Sequence, residues 1–166
     1  MEITPITIAF FIMAAFALGG SLGVVVNRNL FHAALYLVLA LFGVAGLFVL
    51  LEAPFLAAVQ VLVYVGAITV LITITIMVTR RIMGVSESVN RQWPLAAGVS
   101  ALIAITLGFV VLDRFSGAMP VADVPADNIV QLGKALADHQ GYLVPFEVAS
   151  VLLLAAMIGA IVVARE

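Results

Sequence analysis

The chain has 166 residues, of which 65% are hydrophobic and 10% charged, and its formal net charge at pH 7 is −2. This composition excludes an ordinary soluble domain, and seven basic residues against nine acidic ones leave no basic patch for nucleic acid. Cysteine is absent, which excludes a disulfide framework, a thiolate metal site and cysteine-ligated iron–sulfur clusters in this chain.

Five strongly apolar runs follow one another along the chain, and each is long enough to cross a bilayer. They cover residues 6–26, 30–51, 55–79, 94–112 and 143–164. None shows the period-two alternation of a barrel strand. The first run has no basic leader and exceeds the apolar core of a signal peptide, so we expect a retained helix. The sequence predicts an all-α integral membrane protein with five transmembrane helices in one domain, 1–166.

Basic residues in the connections indicate which side of the membrane each loop faces. If the chain crosses five times, five of its seven basic residues fall on one side, while the opposite side is mainly acidic. The positive-inside rule then predicts an N-terminus outside and a C-terminus in the cytoplasm or its equivalent. The five residues are Arg28, Arg80, Arg81, Arg91 and Arg165.

The connection between the fourth and fifth spans contains a short amphipathic segment. Asp127 or Asn128 can cap a helix there, since both side chains accept hydrogen bonds from free N–H groups. The segment is too short and too polar to span, so we expect it to lie along the membrane surface or on a partner protein. The residues on its apolar face are Ile129, Leu132 and Leu136.

Small residues recur at helical spacing in several spans and predict close helix packing in lipid. Taken together they favour a tightly packed bundle inside a larger assembly. The pairs are Gly19 with Gly23, Gly43 with Gly46, and Ala155 with Gly159.

The third span carries polar groups near its middle, where an unsatisfied group costs several kcal/mol. Gln60 and Tyr64 are four residues apart, and Gly66 follows where the helix can be interrupted at little steric cost. Two interpretations stay open. The polar residues attach the helix to its neighbours, or they mark a π-bulge or hinge, a feature common at functional sites. Three threonines, which can bend a helix by bonding to preceding carbonyls, complete the set: Thr69, Thr73 and Thr75.

Three other titratable residues are candidates for chemistry. Glu147 is the only carboxylate inside an apolar run, and it is either a proton-exchanging group or a first-turn acid stabilised by the helix dipole. His32 and His139 have no neighbouring ligands at helical spacing, which argues against a metal or haem site.

Several runs resemble the J-type subunit of proton-pumping NADH:quinone oxidoreductase, the bacterial counterpart of subunit six of mitochondrial complex I. The most specific is residues 59–68, VQVLVYVGAI, in the third span. The second is residues 142–150, YLVPFEVAS, and a weaker third begins at Asn29 with NLFHAAL. These runs occur in the expected order and lie in the second, third and fifth spans.

The resemblance implies a five-helix subunit near the quinone-binding end of a membrane arm, in a bacterial inner membrane. Its partners are then the other membrane-arm subunits and the lipid bilayer. The resemblance places no cofactor in this chain. It implies that flavin, iron–sulfur clusters and quinone are bound by partner subunits.

The resemblance also implies a gate in the third helix, because the family carries a π-bulge near the positions of Tyr64 and Gly66. In one winding Tyr64 and the nearby backbone admit water, and in the other Val65 and Ile68 close the path. Some family members carry glutamate where this chain has Gln60, whose amide can orient water but cannot titrate. Glu147 matches the family and is implied as a functional carboxylate.

Other functions are compatible with the same residues. A subunit of a related cation/proton antiporter or membrane-bound hydrogenase has a similar helix bundle, and the co-purified chains distinguish these cases. A non-catalytic scaffold is the third possibility, and it predicts that polar replacements at Tyr64 alter assembly but never proton coupling. The chain contains no soluble-enzyme motif, so we expect no complete catalytic site within it.

Overall fold

The computed structural model describes residues 4–79, 92–115 and 124–165. These ranges contain seven α-helices and one π-helical segment, and no strand. The α-helices are α1 (Pro5–Val26), α2 (Leu30–Leu50), α3 (Pro54–Val59), α4 (Thr69–Thr79), α5 (Trp93–Phe115), α6 (Asn128–Ala137) and α7 (Leu143–Ala164), and the π-helical segment Gln60–Ile68 joins α3 to α4.

The prediction of an all-helical protein with five apolar spans is confirmed. By length and composition, five helical stretches in the described ranges can cross a membrane, and Pro54–Thr79, called the third span below, combines α3, the π-helical segment and α4. Helix α5, which forms the fourth span, runs to Phe115, beyond the end predicted for that span at residue 112. Hydropathy falls at Asp113, but helical hydrogen bonding continues past the apolar core. Arg80, Arg81 and Arg91 lie outside the described residues.

The turn between α1 and α2 is short because asparagine side chains satisfy its backbone. Asn27 Oδ1 accepts a hydrogen bond from the N–H of Asn29 at 3.1 Å, and Asn29 Oδ1 accepts one from the N–H of Phe31 at 3.0 Å. Asn29 is thus the N-cap of α2. This arrangement makes α1 and α2 neighbours that run in opposite directions.

Helices α1 and α2 approach so closely that only glycine fits at their crossing. A Cβ atom on Gly20 would lie 2.5 Å from the N atom of Ala40, and one on Gly43 would lie 2.5 Å from the N atom of Ala17. Of the predicted pair Gly19 and Gly23, the prediction for Gly19 is wrong, because this residue does not contact α2. A Cβ on Gly19 would meet nothing within 4 Å, because Gly20 is the glycine on the α2 side.

Helix α2 is the central element of the described chain. It contacts α1 and also α3, the π-helical segment and α4. Small residues therefore line it on both sides, and five of them are buried: Ala33, Ala34, Ala40, Gly43 and Ala45.

A tight turn delivers the chain from α2 into the third span. Glu52 has a positive φ of 54°, and its N–H donates to the carbonyl of Val49 at 3.0 Å. The next N–H, from Ala53, donates to the carbonyl of Phe48 at 3.0 Å, which completes a Schellman motif. Pro54 then begins the third span at a position where the missing N–H costs nothing. The start of the third span is therefore fixed to the end of α2.

Helix α6 contacts this turn through a side chain. Asn128 Nδ2 donates to the carbonyl of Glu52 at 3.2 Å. Asp127 occupies the N-cap position of α6, which is one of the two predicted positions, but no side chain accepts a bond from the first N–H groups of the helix. Instead Asp127 Oδ1 accepts a bond from Gln131 Nε2 at 2.9 Å, and Asn128 reaches across to the α2–α3 turn.

The apolar face of α6 bridges the third span and α7. A cavity of about 310 Å³ lies between the start of the third span and α6, and a second of about 340 Å³ lies between α6 and α7. In contrast, every described side chain of α5 is exposed, and α7 is exposed beyond its first residue. The cavity linings include Phe55, Leu56, Ile129 and Leu132 in the first, and Leu136, Leu143 and Phe146 in the second.

The α1–α2 crossing gives a test with a matched pair of glycines. We expect Gly20→Val to force the helices apart, since its Cβ meets backbone atoms of Ala40, and overpacking of this kind costs about 1–3 kcal/mol. We expect Gly19→Val to be near neutral. The measurement is the thermal inactivation midpoint of each variant in the assembled membrane complex. Equal midpoints for the two variants would contradict the described crossing.

Candidate functional site

The π-helical segment Gln60–Ile68 lies in the third span, where the sequence analysis left two interpretations open. At its end the N–H of Thr69 donates to the carbonyl of Tyr64, five residues earlier instead of four. The structure therefore shows the π-helical winding of the second interpretation, together with the polar attachment to a neighbouring helix of the first. Because π-helical turns are rare and often occur at functional sites, this segment is the first candidate for function.

The π-helical segment, called the wide winding below, is closed at its end by two hydrogen bonds that Thr69 donates. Thr69 Oγ1 donates to the Tyr64 carbonyl at 2.7 Å, in addition to the backbone N–H of Thr69. Thr69 is 1% exposed, so water cannot replace these bonds. The sequence pattern singled out Thr69 as a helix-bending residue but did not place it among the site residues. Its position three residues after Gly66 was the available signal.

The beginning of the wide winding is attached to α2. Gln60 is 8% exposed, and its Nε2 donates to the backbone carbonyl of Leu41 at 3.4 Å. Gln60 and Tyr64, four residues apart, differ in their surroundings: the amide is buried against α2, and Tyr64 is 46% exposed. The amide that the sequence suggested for orienting water is thus bonded to a neighbouring helix. Leu41 contributes through its backbone, which no sequence pattern could have indicated.

Gly66 lies inside the wide winding on the exposed side. A Cβ atom there would lie 3.3 Å from the carbonyl oxygen of Val61, five residues earlier, which is tight for a real side chain. Val65 is half-buried and Ile68 is exposed. The structure therefore brings five of the six predicted site residues into one segment, and glycine relieves crowding within it.

The sixth predicted residue, Glu147, lies elsewhere. It is exposed in the second turn of α7, a helix that packs on α6 and not along the third span in the described chain. Within the described residues it has no hydrogen bond or ion pair. His32 is exposed at the start of α2, with its ring edge-on to Phe31 at 6.3 Å, and His139 is exposed in the turn before α7.

No metal centre is indicated in the part of the chain that the structure describes. These residues contain no group of three or more histidine, aspartate and glutamate side chains that could hold an ion. What the described segment can do chemically is limited to hydrogen bonding. It offers a phenol, an amide, a hydroxyl and backbone carbonyls whose pairing depends on the winding of the helix.

The family model and the individual relatives that match this chain indicate the same group of proteins. The family described as NADH-ubiquinone/plastoquinone oxidoreductase chain 6 matches residues 20–163. The chain is 39% identical over 163 residues to F(420)H(2) dehydrogenase subunit J of Methanosarcina mazei, covering 96% of this chain and 90% of that protein. It is 38% identical over 164 residues to NAD(P)H-quinone oxidoreductase chain 6 of Synechocystis, covering 96% and 80% respectively.

A bacterial subunit named for the J position is also similar. NADH-quinone oxidoreductase subunit J of Rhodobacter capsulatus is 34% identical over 165 residues, which cover 95% of this chain and 81% of that protein. The match to the family includes the whole π-helical segment, Glu147, the second, third and fourth spans, the fifth span up to residue 163, and the last seven residues of the first span. The chain therefore belongs to the NADH-ubiquinone/plastoquinone oxidoreductase chain 6 family, the membrane subunit J of the complex I family.

Proposed function

We propose that this subunit couples quinone reduction, which takes place in neighbouring chains, to proton transfer across the membrane, and that its third span is the gate. The observation that carries the proposal is the π-helical segment Gln60–Ile68 in the middle of a membrane-spanning helix. Such a segment can convert to a regular helix by changing hydrogen-bond partners by one residue. Each N–H group that changes partner can still bond to a carbonyl of its own helix in either winding.

The proposed gate works by rotation. A regular helix turns about 100° and rises about 1.5 Å per residue, so removing one residue from the wide winding turns one half of the span relative to the other. In one state Tyr64 and the neighbouring carbonyls admit water, and in the other Val65 and Ile68 close the path. Proton transfer requires an unbroken chain of hydrogen bonds, so a rotation of this size is sufficient to switch it.

The surrounding assembly is part of the same proposal. Flavin, iron–sulfur clusters and quinone are held by partner subunits, and the other membrane-arm subunits and lipid surround this chain. The N-terminus is outside and the C-terminus is cytoplasmic in a bacterial inner membrane, with α6 along the outer surface. Two observations support this orientation. Five crossings place the basic residues Arg28 and Arg165 at one membrane end, which the positive-inside rule assigns to the cytoplasm, and Asn128 of α6 bonds to the α2–α3 turn at the opposite end.

One relative favours a second candidate for the electron donor. The Methanosarcina mazei protein is named as a subunit of F(420)H(2) dehydrogenase, so a complex containing this chain could take electrons from reduced F420 in place of NADH. The two candidates differ in the electron-input chains. Purifying the complex through this subunit and assaying quinone reduction with NADH and with reduced F420 separates them, because only the true donor supports turnover.

Gly66 gives the most direct test of the gate. We expect Gly66→Val to crowd the Val61 carbonyl, at a cost of about 1–3 kcal/mol, and so to restrict the change in winding. Quinone reduction should continue while the ratio of protons moved to electrons transferred falls several-fold. Both are measured in inverted membrane vesicles. Gly108→Val is the control, since a Cβ on Gly108 meets nothing within 4 Å.

The gate is refuted if Gly66→Val pumps and transfers electrons normally. The scaffold interpretation makes a different prediction for the same experiment. In a scaffold, Gly66→Val and a polar replacement of Tyr64 reduce the amount of assembled complex, but the proton-to-electron ratio of the assembled fraction stays at the parent value.

Gln60 gives a second test, through the attachment of the wide winding to α2. Gln60→Leu removes the bond to the Leu41 carbonyl, and a side-chain bond of this kind in a membrane protein contributes about 0.6 kcal/mol on average. We therefore expect a partial loss of coupling at every pH. Gln60→Glu can donate to the same carbonyl only when protonated.

Coupling in Gln60→Glu should consequently be near normal at low pH and fall as pH rises and the carboxyl group ionises. The measurement is the proton-to-electron ratio of the parent, Gln60→Leu and Gln60→Glu across a pH series. If the Gln60→Glu curve runs parallel to the parent curve, the hydrogen bond to Leu41 has no part in coupling.

A further inference from the structure

Thr69 is a buried polar residue of the third span that the proposed function does not use. It is 1% exposed, at the start of α4, a helix that packs on α2. Its N–H and its Oγ1 both donate to the Tyr64 carbonyl. A polar side chain can be buried here because its hydroxyl group is satisfied within its own helix.

Four other threonines of the described chain show what this side chain does in a regular helix. Each donates its hydroxyl to the carbonyl four residues earlier, at 2.8 Å. Thr69 donates to the carbonyl five residues earlier, so its hydrogen bond belongs to the wide winding. The regular examples are Thr73, Thr75, Thr79 and Thr106.

The hydrogen-bond register determines which residue takes the place of Thr69 when the wide winding tightens into a regular α-helix. In a regular helix the donor to the Tyr64 carbonyl is the residue four positions on, which is Ile68. If the Tyr64 carbonyl keeps its place, tightening therefore brings Ile68 to the position that Thr69 occupies in the wide winding. Ile68 is exposed in the described state.

The first half of the third span is the part that keeps its place. The Gln60 amide bonds to the Leu41 carbonyl of α2, and the turn before Pro54 is closed by its own backbone bonds. Asn128 of α6 holds the carbonyl of Glu52 in that turn. The described bonds from the second half stay within its own helix, so α4 is the part that turns.

We propose that Thr69 is the positioning residue that sets the resting register of the third span against α2. Its side chain fits the buried position, whereas Ile68 is larger and has no hydroxyl group to donate to the Tyr64 carbonyl. The wide winding is therefore favoured at rest, and tightening has to bury Ile68 in place of Thr69. This inference rests on the proposed function in one respect: it supposes that both windings are accessible.

The test exchanges the two residues. In the double variant Ile68→Thr, Thr69→Ile the composition is unchanged and both residues remain β-branched, so helix propensity is matched. The threonine now stands four residues after Tyr64, where a regular helix needs it. We expect high-resolution maps of the assembled complex to show the third span in regular α-helical winding. The shift expected from overpacking is about fivefold to more than a hundredfold in the ratio of the two windings.

Two single variants separate size from hydrogen bonding. Thr69→Ser keeps the hydroxyl group and should keep the wide winding and the parent proton-to-electron ratio. Thr69→Val keeps the size and loses the hydroxyl group, and we expect a shift of only about threefold, the average effect of one membrane hydrogen bond. A wide winding in the exchanged variant, with the isoleucine side chain in the place of Thr69, overturns the inference.

The maps and the pumping assay distinguish this inference from the gate itself. If the exchanged variant tightens and pumps normally, Thr69 sets the register and the gate fails. If it stays wide, the Thr69 inference fails whatever the pumping ratio. If the exchanged variant does not assemble, Ile68→Thr and Thr69→Ile are studied separately. The inference requires the first to assemble and to populate both windings, because threonine then fits the buried position in either one. It requires the second to lose assembly or displace α4, because isoleucine then occupies that position in either one, and equal behaviour of the two variants overturns it.

Discussion

Inside a bilayer every backbone N–H and C=O group has to find its partner within the protein, because hydrocarbon offers none. A regular helix meets this condition automatically, and the third span meets it in another way between Gln60 and Ile68. Its wide turns still pair backbone groups, but five residues apart, as the bond from Thr69 to Tyr64 shows. The irregular segment lies against α2, which limits its exposure to lipid on one side. A wide winding that keeps bonds of this kind is therefore possible inside a bilayer.

The packing of α2 against the third span depends on how closely α1 and α2 approach each other. Glycine at positions 20 and 43 brings the two backbones together, and the resulting pair presents the other side of α2 to the third span. The attachments of the third span are unequal along its length. Its first half is tied by Gln60 and by the turn at Glu52, which α6 also holds. In the proposed gate, a change of winding in the middle would therefore rotate α4 and not α3.

The spans could be predicted from the sequence because hydropathy alone determines them, and five long apolar helices are what the structure contains. Finer features depend on neighbours that the sequence does not identify. Gly19 and Gly20 are adjacent glycines that the sequence does not distinguish, and only the helix crossing determines which one contacts α2. Asn128 is a good capping residue in isolation, yet its amide bonds to the Glu52 carbonyl, 76 residues away in the sequence.

The choice between a polar attachment and a π-bulge in the third span was undecidable from the sequence for a related reason. Both interpretations use the same residues, and the structure contains both effects. Gln60 attaches the span to α2, and Thr69 closes the wide winding on Tyr64. Glycine and threonine are compatible with either arrangement, since each is common in membrane helices. The role of Glu147 in proton transfer stays a prediction.

The exposure of the third span shows what this chain lacks on its own. On the side away from α2, Leu62 is 71% exposed and Tyr64 is 46% exposed. The water path of the proposed gate needs walls on all sides, and the described part of this chain supplies the wall formed by the third span and α2. The proposal therefore requires the remaining walls from elsewhere in a complex, and the relatives are named as chains or subunits of such complexes. The same reasoning applies to Glu147, because a carboxylate in an apolar helix needs a donor or water, and α7 alone provides neither.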